Sequence, residues 1–275
     1  MSYPLEDILV LDLTRLLPGP YGTMLLADLG AEVIKIEEPE RGDYIRAVNP
    51  GMFKAVNRHK KSITLNLKTD EGKEIFLRLV KRADVLVEGF RPGVMKKLGL
   101  SYESVKALNP KIIYCSISGY GQTGPFKDLP GHDINYVGLA SALGLTQKPT
   151  PFSLPIADLA GGTFAALAIL AAIIEQRHSG TGQFLDVSAA EAVLSWMGPR
   201  LAQYEAIKEK SRGSPATFGK ADPPVAPTLR KAFRRGAYGI FPCRDQLYLS
   251  VGALEDIFWQ NLCRALGKKQ WADEP

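Results

Sequence analysis

Short apolar runs alternate with helix-forming segments along the first 120 residues, and this alternation constrains the fold more than any other feature of the sequence. Ile8–Leu13 and Val33–Ile36 resemble buried strands, and a helix opened by Pro18–Pro20 runs between them to Leu29. The pattern then recurs in a helix at about Asp70–Arg82, a strand at Val85–Val87, a helix after Ser101 and a strand at Ile112–Ser116. Such alternation places parallel strands between layers of helices. The sequence therefore predicts an α/β fold built on a parallel sheet.

A nearly continuous apolar segment, Asp158–Gln176, predicts a helix buried in the core. Gly161 and Gly162 near its start would allow another backbone to approach closely. Its uncharged part, Phe164–Ile174, is shorter than the roughly 20 residues that cross a bilayer. The N-terminal residues Met1–Asp7 lack the charged and apolar regions of a signal peptide. We therefore expect a cytoplasmic protein with no membrane partner.

The composition changes around Lys208–Arg235, where four prolines and eight Lys or Arg residues accompany only two acids. Such a segment is typical of an extended linker between domains. After it, Tyr238–Phe241 and Gln246–Val251 predict a hairpin, followed by an amphipathic helix to Gly267. We predict a large domain over residues 1–205, a linker over 206–235, and the beginning of a small α+β domain over 236–275.

Charge and cysteine usage restrict the partners. The net charge of +5 favours an anionic partner, but the basic residues are not interleaved with aromatic residues, so we expect no nucleic acid. The three cysteines are far apart and have no metal-binding spacing, so we expect no metal. The turn Gly19–Gly22 lacks the spacing of the dinucleotide fingerprint, which argues against NAD. A phosphorylated small molecule is the most economical partner.

Three residues are candidates for catalysis, and each also has a structural explanation. His132 lies in a loop and suits proton transfer near neutrality, although a lone histidine is more often structural. Asp158 opens the apolar helix, where an aspartate commonly is the N-cap, but apolar surroundings would also tune its carboxylate for acid–base or nucleophilic work. Glu255 precedes the last helix, and an acid in a first helical turn is its simpler explanation.

Basic residues in two further segments are candidates for holding phosphates. Asn57–Ser62 contains Arg58 and Lys60, and Gly89–Gly93 contains Arg91 with Phe90 beside it. The ring of Phe90 could offer a face to an adenine. Clusters of this kind are usually solvated surfaces, so both interpretations stay open.

Five ordered motifs resemble those of one family. They are Leu11–Thr14 with Pro18–Pro20, Leu29–Pro39, Val87–Gly93, Gly119–Pro125 and Ile156–Gly162. From Leu5 to the C-terminus, the chain resembles the CaiB/BaiF-like family III CoA-transferases and alpha-methylacyl-CoA racemases.

The resemblance implies a Rossmann-like large domain, a linker to a small domain, and a homodimer of two interlocked chains. It implies no separate cofactor, because coenzyme A is part of the acyl-CoA substrate. The CoA contacts that it implies are Leu16, Leu17, Leu65, Lys68, Phe90, Arg91, Val94 and Lys97. One departure is Glu38, where many relatives have arginine, so a phosphate contact there would have to come from Arg58 or Lys60.

Two chemistries are implied by the resemblance. In the transferases, the aspartate that matches Asp158 attacks the thioester and forms first an anhydride and then an aspartyl-CoA thioester. In the racemases, residues that match His132 and Asp158 move a proton at the α-carbon of a 2-methylacyl-CoA through an enolate, and a glutamate that matches Glu255 lies near the histidine. Backbone N–H groups at the start of the helix are expected donors to the enolate oxygen.

Two features favour an acyl-CoA racemase or epimerase over a CoA-transferase. The racemase sequence Gly-His-Asp-Ile-Asn-Tyr is complete at Gly131–Tyr136, and the glycine-rich loop of many transferases is not visible between Pro224 and Gly239. Family members usually continue beyond the position of Pro275, so a non-catalytic CoA-binding fragment is the third possibility.

Overall fold

The computed structural model describes residues 2–145, 150–210 and 236–272. Contacts divide the chain into two compact units, Met1–Pro199 and Arg200–Pro275.

The first unit contains a six-stranded parallel sheet, which confirms the predicted α/β class. The strands lie in the order β3-β2-β1-β4-β5-β6, in which the order reverses between β1 and β4, as in doubly wound nucleotide-binding folds. Their bounds are β1 Leu9–Leu13, β2 Glu32–Glu37, β3 Lys61–Thr64, β4 Val85–Glu88, β5 Ile113–Ser118 and β6 Phe184–Ser188. Strand β6 was not expected from the sequence.

Helices connect the strands and cover both faces of the sheet. Their bounds are α1 Pro18–Asp28, α2 Ile45–Val48, α3 Pro50–Val56, α4 Asp70–Val80, α5 Val94–Lys97, α6 Tyr102–Leu108, α7 Asp133–Leu139, α8 Ile156–Ser179 and α9 Ala189–Lys210, with a 3-10 turn at Ala142–Leu145. On one face, strand residues such as Val10 and Val87 pack with α1 and α8. On the other face, Leu11 and Leu86 pack with Phe76 of α4. Each such side chain contributes about 1.5 to 3 kcal/mol when fully buried.

The helix α8 is longer than the sequence suggested. It spans 24 residues, so by length and composition alone it is apolar enough to cross a membrane, and the expectation that it is too short was wrong. The reason is that helical residues on both sides of Phe164–Ile174 extend the apolar segment. Half of its most apolar 18-residue stretch is buried within the protein. There Ile169 and Ile173 pack against the sheet. The helix is therefore a core element of the first unit.

The backbone at the start of α8 closely approaches the backbone of α1. A Cβ atom on Gly162 would lie 2.4 Å from the carbonyl oxygen of Pro18 and 3.2 Å from the backbone nitrogen of Gly22. A Cβ atom on Gly22 would in turn lie 2.7 Å from the carbonyl oxygen of Gly162. This close approach fixes the start of α8, which carries Asp158, against the beginning of α1.

We expect Gly162→Ala to lower the free energy of unfolding by about 1 to 3 kcal/mol, because the added methyl group overlaps the backbone of α1. The matched control is Gly51→Ala in α3, where an added Cβ would meet only Asn49 Oδ1, at an ordinary contact distance of 3.6 Å. That change removes only the backbone entropy of a helical glycine and should stabilise by up to about 1 kcal/mol. Urea unfolding of both variants measures the difference, and equal stabilities would contradict the close-contact account.

The described part of the second unit beyond α9 is a small α+β structure. β7 (Tyr238–Pro242) and β8 (Tyr248–Gly252) form an antiparallel hairpin, and α10 (Asp256–Ala265) packs Trp259 and Cys263 on Ala237. Residues 206–210, which the sequence placed in the linker, are helical because α9 continues to Lys210. The rest of the predicted linker, residues 211–235, lies outside the described residues. The predicted domain bounds stay predictions.

Candidate active site

A cleft of about 760 Å³ lies at the carboxyl ends of β1 to β4, where the strand order reverses. Ligands of doubly wound folds bind at this position, and the volume lies within the range of small-molecule sites. The cleft is lined by Leu13–Arg15, Ile36–Asp43, Leu65–Lys68, Phe90, Arg91, Val94 and Leu98. The lining therefore includes five predicted CoA contacts, namely Leu65, Lys68, Phe90, Arg91 and Val94. The predicted contacts Leu16, Leu17, Lys97 and Arg58 are not among the lining residues.

Arg15 is a cleft cation that the sequence analysis did not single out. Its guanidinium carbon lies 5.1 Å from the ring centroid of Phe90 and 5.9 Å from that of Tyr44. Its Nη1 atom lies 4.0 Å from Oε1 of Glu38, so the acid that replaces an expected arginine faces a cation. Both members of this pair are well exposed, so the pair contributes little to stability. It does place a positive charge beside an aromatic face within the cleft.

Lys60 belongs to the core rather than to a phosphate site. Its Nζ donates to Asp12 Oδ2 at 3.0 Å, to Thr23 Oγ1 at 2.7 Å, to the carbonyl oxygen of Pro20 at 2.8 Å and to Asn57 Oδ1 at 3.0 Å. Its side chain is only 1% exposed. The suggestion that Lys60 replaces a missing phosphate contact is wrong, because its ammonium group is enclosed and fully engaged.

Arg58 is exposed, but its guanidinium group is occupied. Its Nε donates to Asp28 Oδ1 at 2.9 Å, and its Nη2 donates to Asp28 Oδ2. The Asp28 carboxylate raises the pKa of Arg58 through this hydrogen bond. A phosphate could bind Arg58 only by competing with this bidentate pair. Its predicted contact with CoA stays a prediction.

Asp12 is fully buried at the carboxyl end of β1, where it anchors the loop into α1. It accepts hydrogen bonds from the backbone N–H and hydroxyl of Thr14 and from the hydroxyl of Thr23. Burial alone would raise the pKa of Asp12, but the ammonium groups of Lys60 and Lys35 and the hydroxyl donors hold it well below its usual range. Asp12 is therefore a buried anion matched by buried cations.

A second buried pair fixes the conformation of Leu16 in the same loop. Leu16 has a φ of 66°, a left-handed conformation that costs energy for a residue with a branched side chain. Its backbone N–H donates to Asp43 Oδ1 at 3.1 Å, and Asp43 Oδ2 lies 3.1 Å from Lys35 Nζ. Lys35 also donates to the carbonyl oxygen of Thr14 at 2.8 Å. The loop after β1 is thus held by charges from β2 and the segment that follows it.

His132 and Asp158 lie in one cluster, joined by Asp133. Asp133 Oδ1 accepts hydrogen bonds from the backbone N–H groups of Ala157 at 2.6 Å and Asp158 at 3.1 Å. His132 precedes the first turn of α7 and is exposed, with its backbone N–H donating to Asn135 Oδ1 at 3.0 Å. His132 lowers the pKa of Asp158 through its proximity. The fold therefore brings the two predicted residues within electrostatic range of each other.

The carboxyl group of Asp158 has an unusual environment. Burial, reinforced by the negative charge of Asp133, raises the pKa of Asp158 to about 6, and His132 acts in the opposite direction. Asp158 lies in the first turn of α8, whose N-cap residue is Pro155, so the expectation that Asp158 is the N-cap was wrong. Asp133, from another helix, satisfies the first N–H groups of α8 instead. The N–H groups of Ala157 and Asp158 are bonded to Asp133, so an enolate oxygen would have to compete with this carboxylate for them, and the expected donation stays a prediction.

Tyr136 connects this cluster to the cleft. Burial and the Asp158 carboxylate raise the pKa of Tyr136 to about 12, while Arg91 of the cleft lowers it. The tyrosine hydroxyl donates to the carbonyl oxygen of Gly131 at 2.6 Å, and its ring fills the space where a Cβ on Gly119 would lie. Arg91 and Asp158 therefore both lie within electrostatic range of one side chain.

Asp133 is the residue of this cluster that the sequence analysis missed. It lies directly after His132 in the quoted motif, and its position as the one acid of that motif was the available signal. Glu255, the third predicted catalytic residue, is exposed at the start of α10 in the second unit. Its proximity to His132 stays a prediction.

Comparisons with known proteins identify the relatives of this chain. Residues 5–275 match the family model described as CoA-transferase family III. The chain is 36% identical over 283 residues to an acetyl-CoA:oxalate CoA-transferase from Acetobacter aceti, with 99% of this chain and 69% of that protein covered. It is 37% identical over 289 residues to a succinate–glutarate CoA-transferase from Agrobacterium fabrum, with 98% of this chain and 68% of that protein covered.

A solved structure agrees with the sequence relatives. The crystal structure of a CaiB/BaiF family protein from Brucella suis matches with a TM-score of 0.81 at 34% identity. The match covers 98% of this chain and 71% of that chain. Fold and sequence thus agree on one family.

Proposed function

This chain belongs to CoA-transferase family III, and on that basis we propose that it transfers coenzyme A from an acyl-CoA thioester to a free carboxylate, with Asp158 as the covalent carrier. The names of its relatives favour this activity over the racemase activity that the sequence motif suggested. The observation that supports the role of Asp158 most directly is its half-buried carboxylate at the start of α8, with a raised pKa. A desolvated carboxylate is a stronger nucleophile than a hydrated one, and it remains largely ionised at pH 7.

The proposed reaction passes through two covalent states of Asp158. Its carboxylate attacks the thioester carbonyl carbon, the C–S bond breaks, and CoA leaves as a thiolate, so that a mixed anhydride of Asp158 and the donor acid remains. The thiolate then attacks the Asp158 carboxyl carbon, which releases the donor acid as a carboxylate and leaves an aspartyl-CoA thioester. The acceptor carboxylate reverses these two steps and forms the new acyl-CoA. Since no electron is transferred and protons balance, no separate cofactor is required.

The cleft is the proposed seat of CoA. Lys68 and Arg91 supply positive charge for its phosphates, and Phe90 beside Arg15 supplies an aromatic face for the adenine. Arg91 and Asp158 both influence the pKa of Tyr136, which supports a thioester that extends from this cleft toward Asp158. Leu16, Leu17, Val94 and Lys97 stay proposed contacts at its edge.

The acceptor class is proposed from the relatives. The similar transferases are named for oxalate, succinate and glutarate, which are short dicarboxylates. Short dicarboxylates and their CoA thioesters are therefore the first substrates to test.

We also propose a cytoplasmic homodimer. What supports the dimer is a set of exposed apolar side chains on α8 and α9, namely Leu167, Ile174, Leu194 and Trp196. Exposed apolar groups on neighbouring helices are typical of a surface that another chain covers.

Racemase chemistry is the second candidate, because His132 lies close enough to Asp158 to influence its pKa. A racemase needs two groups that exchange a proton with one α-carbon, and an imidazole with a desolvated carboxylate could supply them. Such a reaction requires no acceptor acid.

One assay separates the two candidates. The protein is incubated in heavy water with a short dicarboxylic acyl-CoA or a 2-methylacyl-CoA, with and without an acceptor acid. We expect acceptor-dependent formation of a new thioester and no deuterium at the α-carbon. Deuterium incorporation without an acceptor would favour the racemase instead.

We expect His132→Ala to retain transfer within about tenfold of wild type, since a nucleophilic mechanism at Asp158 needs no imidazole base. A racemase would lose essentially all α-proton exchange with the same change. The matched control is His178→Ala, because His178 is exposed at the end of α8 and contacts the carbonyl oxygen of Ile174. Loss of transfer by a factor of about a thousand in His132→Ala alone would contradict the proposed role of Asp158 as sole nucleophile.

A further inference from the structure

Glu88 is a buried acid that the proposed mechanism does not use. It is the last residue of β4, directly before the loop that carries Phe90 and Arg91, and it is 4% exposed. Its Oε2 accepts a hydrogen bond from the backbone N–H of Phe90 at 2.8 Å, and its Oε1 accepts one from the hydroxyl of Ser116. Among the residues that the structure describes, no cation forms an ion pair with it. A buried carboxylate without a counter-ion destabilises the folded state, so we expect Glu88 to have a functional role.

The hydrogen bonds of Glu88 continue across two further strands. Ser116 is its register partner on β5, and the Ser116 hydroxyl accepts a hydrogen bond from Gln122 Nε2 at 2.7 Å. The backbone N–H of Gln122 donates to both carboxylate oxygens of Asp186 on β6, at 3.1 and 2.9 Å. One connected set of bonds therefore spans the carboxyl ends of β4, β5 and β6.

This network joins the two parts of the proposed site. At one end it holds the backbone of Phe90, which precedes Arg91 in the cleft lining. At the other end it holds Gln122, in the loop whose residues Gly119 and Tyr120 pack against Tyr136. Tyr136 lies one turn after His132 in α7, and the charge of Asp158 raises the pKa of Tyr136.

We propose that Glu88 is a positioning residue whose ionised carboxylate holds the Phe90–Arg91 loop and, through Ser116, the Gln122 loop in the arrangement that binds CoA. The inference rests on the proposed function, because it assigns CoA to the cleft beside that loop. Glu88 contacts no substrate in this account and acts only through the two loops.

Protonation of Glu88 would reverse the donor and acceptor roles in the hydrogen bonds that link Glu88, Ser116 and Gln122. In the observed arrangement the Ser116 hydroxyl and the Phe90 N–H both donate to the carboxylate, which is the pattern for the ionised form. If Oε1 carried a proton, Glu88 would donate to the Ser116 hydroxyl oxygen. The Ser116 hydroxyl hydrogen would then point toward Gln122, and the Gln122 amide would have to turn so that its oxygen accepts that hydrogen bond. The charge state of Glu88 is thus coupled to the orientation of Gln122.

The groups around Glu88 make this change accessible near neutral pH. Burial, reinforced by the charge of Asp186 on β6, raises the pKa of Glu88 to about 7 against the opposing hydrogen bonds of Ser116 and Phe90. The titratable groups near it on β5 are Tyr114 and Cys115, of which Cys115 points to the opposite face of the sheet. Burial raises the pKa of each far above neutrality, so both stay uncharged. Glu88 is therefore the group of this network that titrates as the pH crosses 7.

The test is calorimetric titration of CoA itself into wild type and Glu88→Gln between pH 6 and 8.5, which requires no turnover. The glutamine fixes a neutral side chain of the same shape. We expect the Kd for CoA to be about tenfold higher in Glu88→Gln at pH 8 and nearly equal to wild type at pH 6, the scale of one positioning hydrogen bond. The phosphates of CoA titrate equally with both proteins, so the difference between the two profiles reports Glu88.

Two further variants complete the design. Ser116→Ala removes the link to Gln122 but leaves the bond to Phe90, and we expect it to weaken CoA binding at pH 8 as well; it decides the matter if Glu88→Gln does not fold. Cys115→Ala is the matched control, since Cys115 is fully buried on the same strand but packs in the core cluster of the opposite sheet face. It should leave the Kd and its pH profile unchanged.

The outcomes distinguish this inference from the proposed function. If wild type binds CoA and both network variants bind it with the same Kd and pH profile, the positioning role is refuted while CoA transfer stands. If wild type does not bind CoA, both the proposed function and this inference are refuted. If binding shows the expected pH-dependent loss while no transfer is found with any acceptor, the positioning role is supported and the transferase assignment fails.

Discussion

Replacing Asp158 with asparagine is expected to abolish CoA transfer and at the same time to stabilise the folded protein above pH 6. The activity should fall by at least about 10⁴-fold, because an amide cannot form the anhydride or the aspartyl-CoA thioester. The stability should rise because burial disfavours the charge that Asp158 carries above its raised pKa.

The pH dependence of this stabilisation follows from the direction of the shift. The pKa of Asp158 is raised from 3.8 to about 6 in the folded state, so protonated Asp158 favours folding at low pH and this contribution is lost as the pH rises from about 4 to 6. An asparagine side chain at this position carries no charge and loses nothing over the same range. The variant should therefore exceed wild type by about 1 to 3 kcal/mol at pH 8 and by much less at pH 4.

Urea unfolding at the two pH values measures this difference. Asp7→Asn is a suitable control, because Asp7 is an exposed acid whose partner Arg177 is also exposed, and little change is expected at either pH. An Asp158→Asn protein that retains transfer, or that is less stable than wild type at pH 8, would contradict the account of a desolvated nucleophile.

Replacing Lys60 with methionine is expected to produce the largest loss of stability, about 3 to 5 kcal/mol. The change removes the cation beside Asp12 but leaves that carboxylate fully buried. Asp12 would keep the hydroxyl donors Thr14 and Thr23 but lose the nearest of its two counter-charges. Removal of one partner from a buried pair costs more than the pair contributes, because the remaining charge stays desolvated.

The adjacent residue provides a matched control. Lys61 forms an ion pair with Glu32, but its side chain is 71% exposed, so Lys61→Met should change the stability little. The double variant Lys60→Met/Asp12→Asn should recover part of the loss, because it removes the uncompensated charge. Equal effects of Lys60→Met and Lys61→Met on urea unfolding would contradict the buried-pair interpretation.

The alternation of apolar runs predicted most of the sheet because β1, β2, β4 and β5 are mostly apolar and nearly all of their residues are buried or half-buried. The missed strand β6 differs in its burial, because its first three residues are exposed or only half-buried. The local sequence of β6 does not explain Asp186, because its carboxylate accepts a hydrogen bond from the backbone N–H of Gln122, which lies 64 residues earlier.

The sequence predicted the main residues of the site, but it did not predict how the charged side chains pair with one another. The motif around His132 and Asp158 indicated both residues, and the cleft contains Arg91 and Phe90 as the resemblance implied. The roles of Lys60 and Asp133 could not be predicted, because each depends on a partner distant in sequence. In the sequence, Lys60 belongs to a basic cluster of the kind that usually faces solvent. In the structure, its side chain points inward to Asp12, whereas the side chain of Lys61 points outward.

The central claim is that Asp158 becomes covalently linked to coenzyme A, and trapping of that link tests it most directly. The protein is incubated with an acyl-CoA, treated with hydroxylamine, digested and analysed by mass spectrometry. We expect an aspartyl hydroxamate at Asp158 that forms only when the acyl-CoA is present. An unmodified Asp158 during active transfer, or a hydroxamate at another carboxylate, would contradict the account.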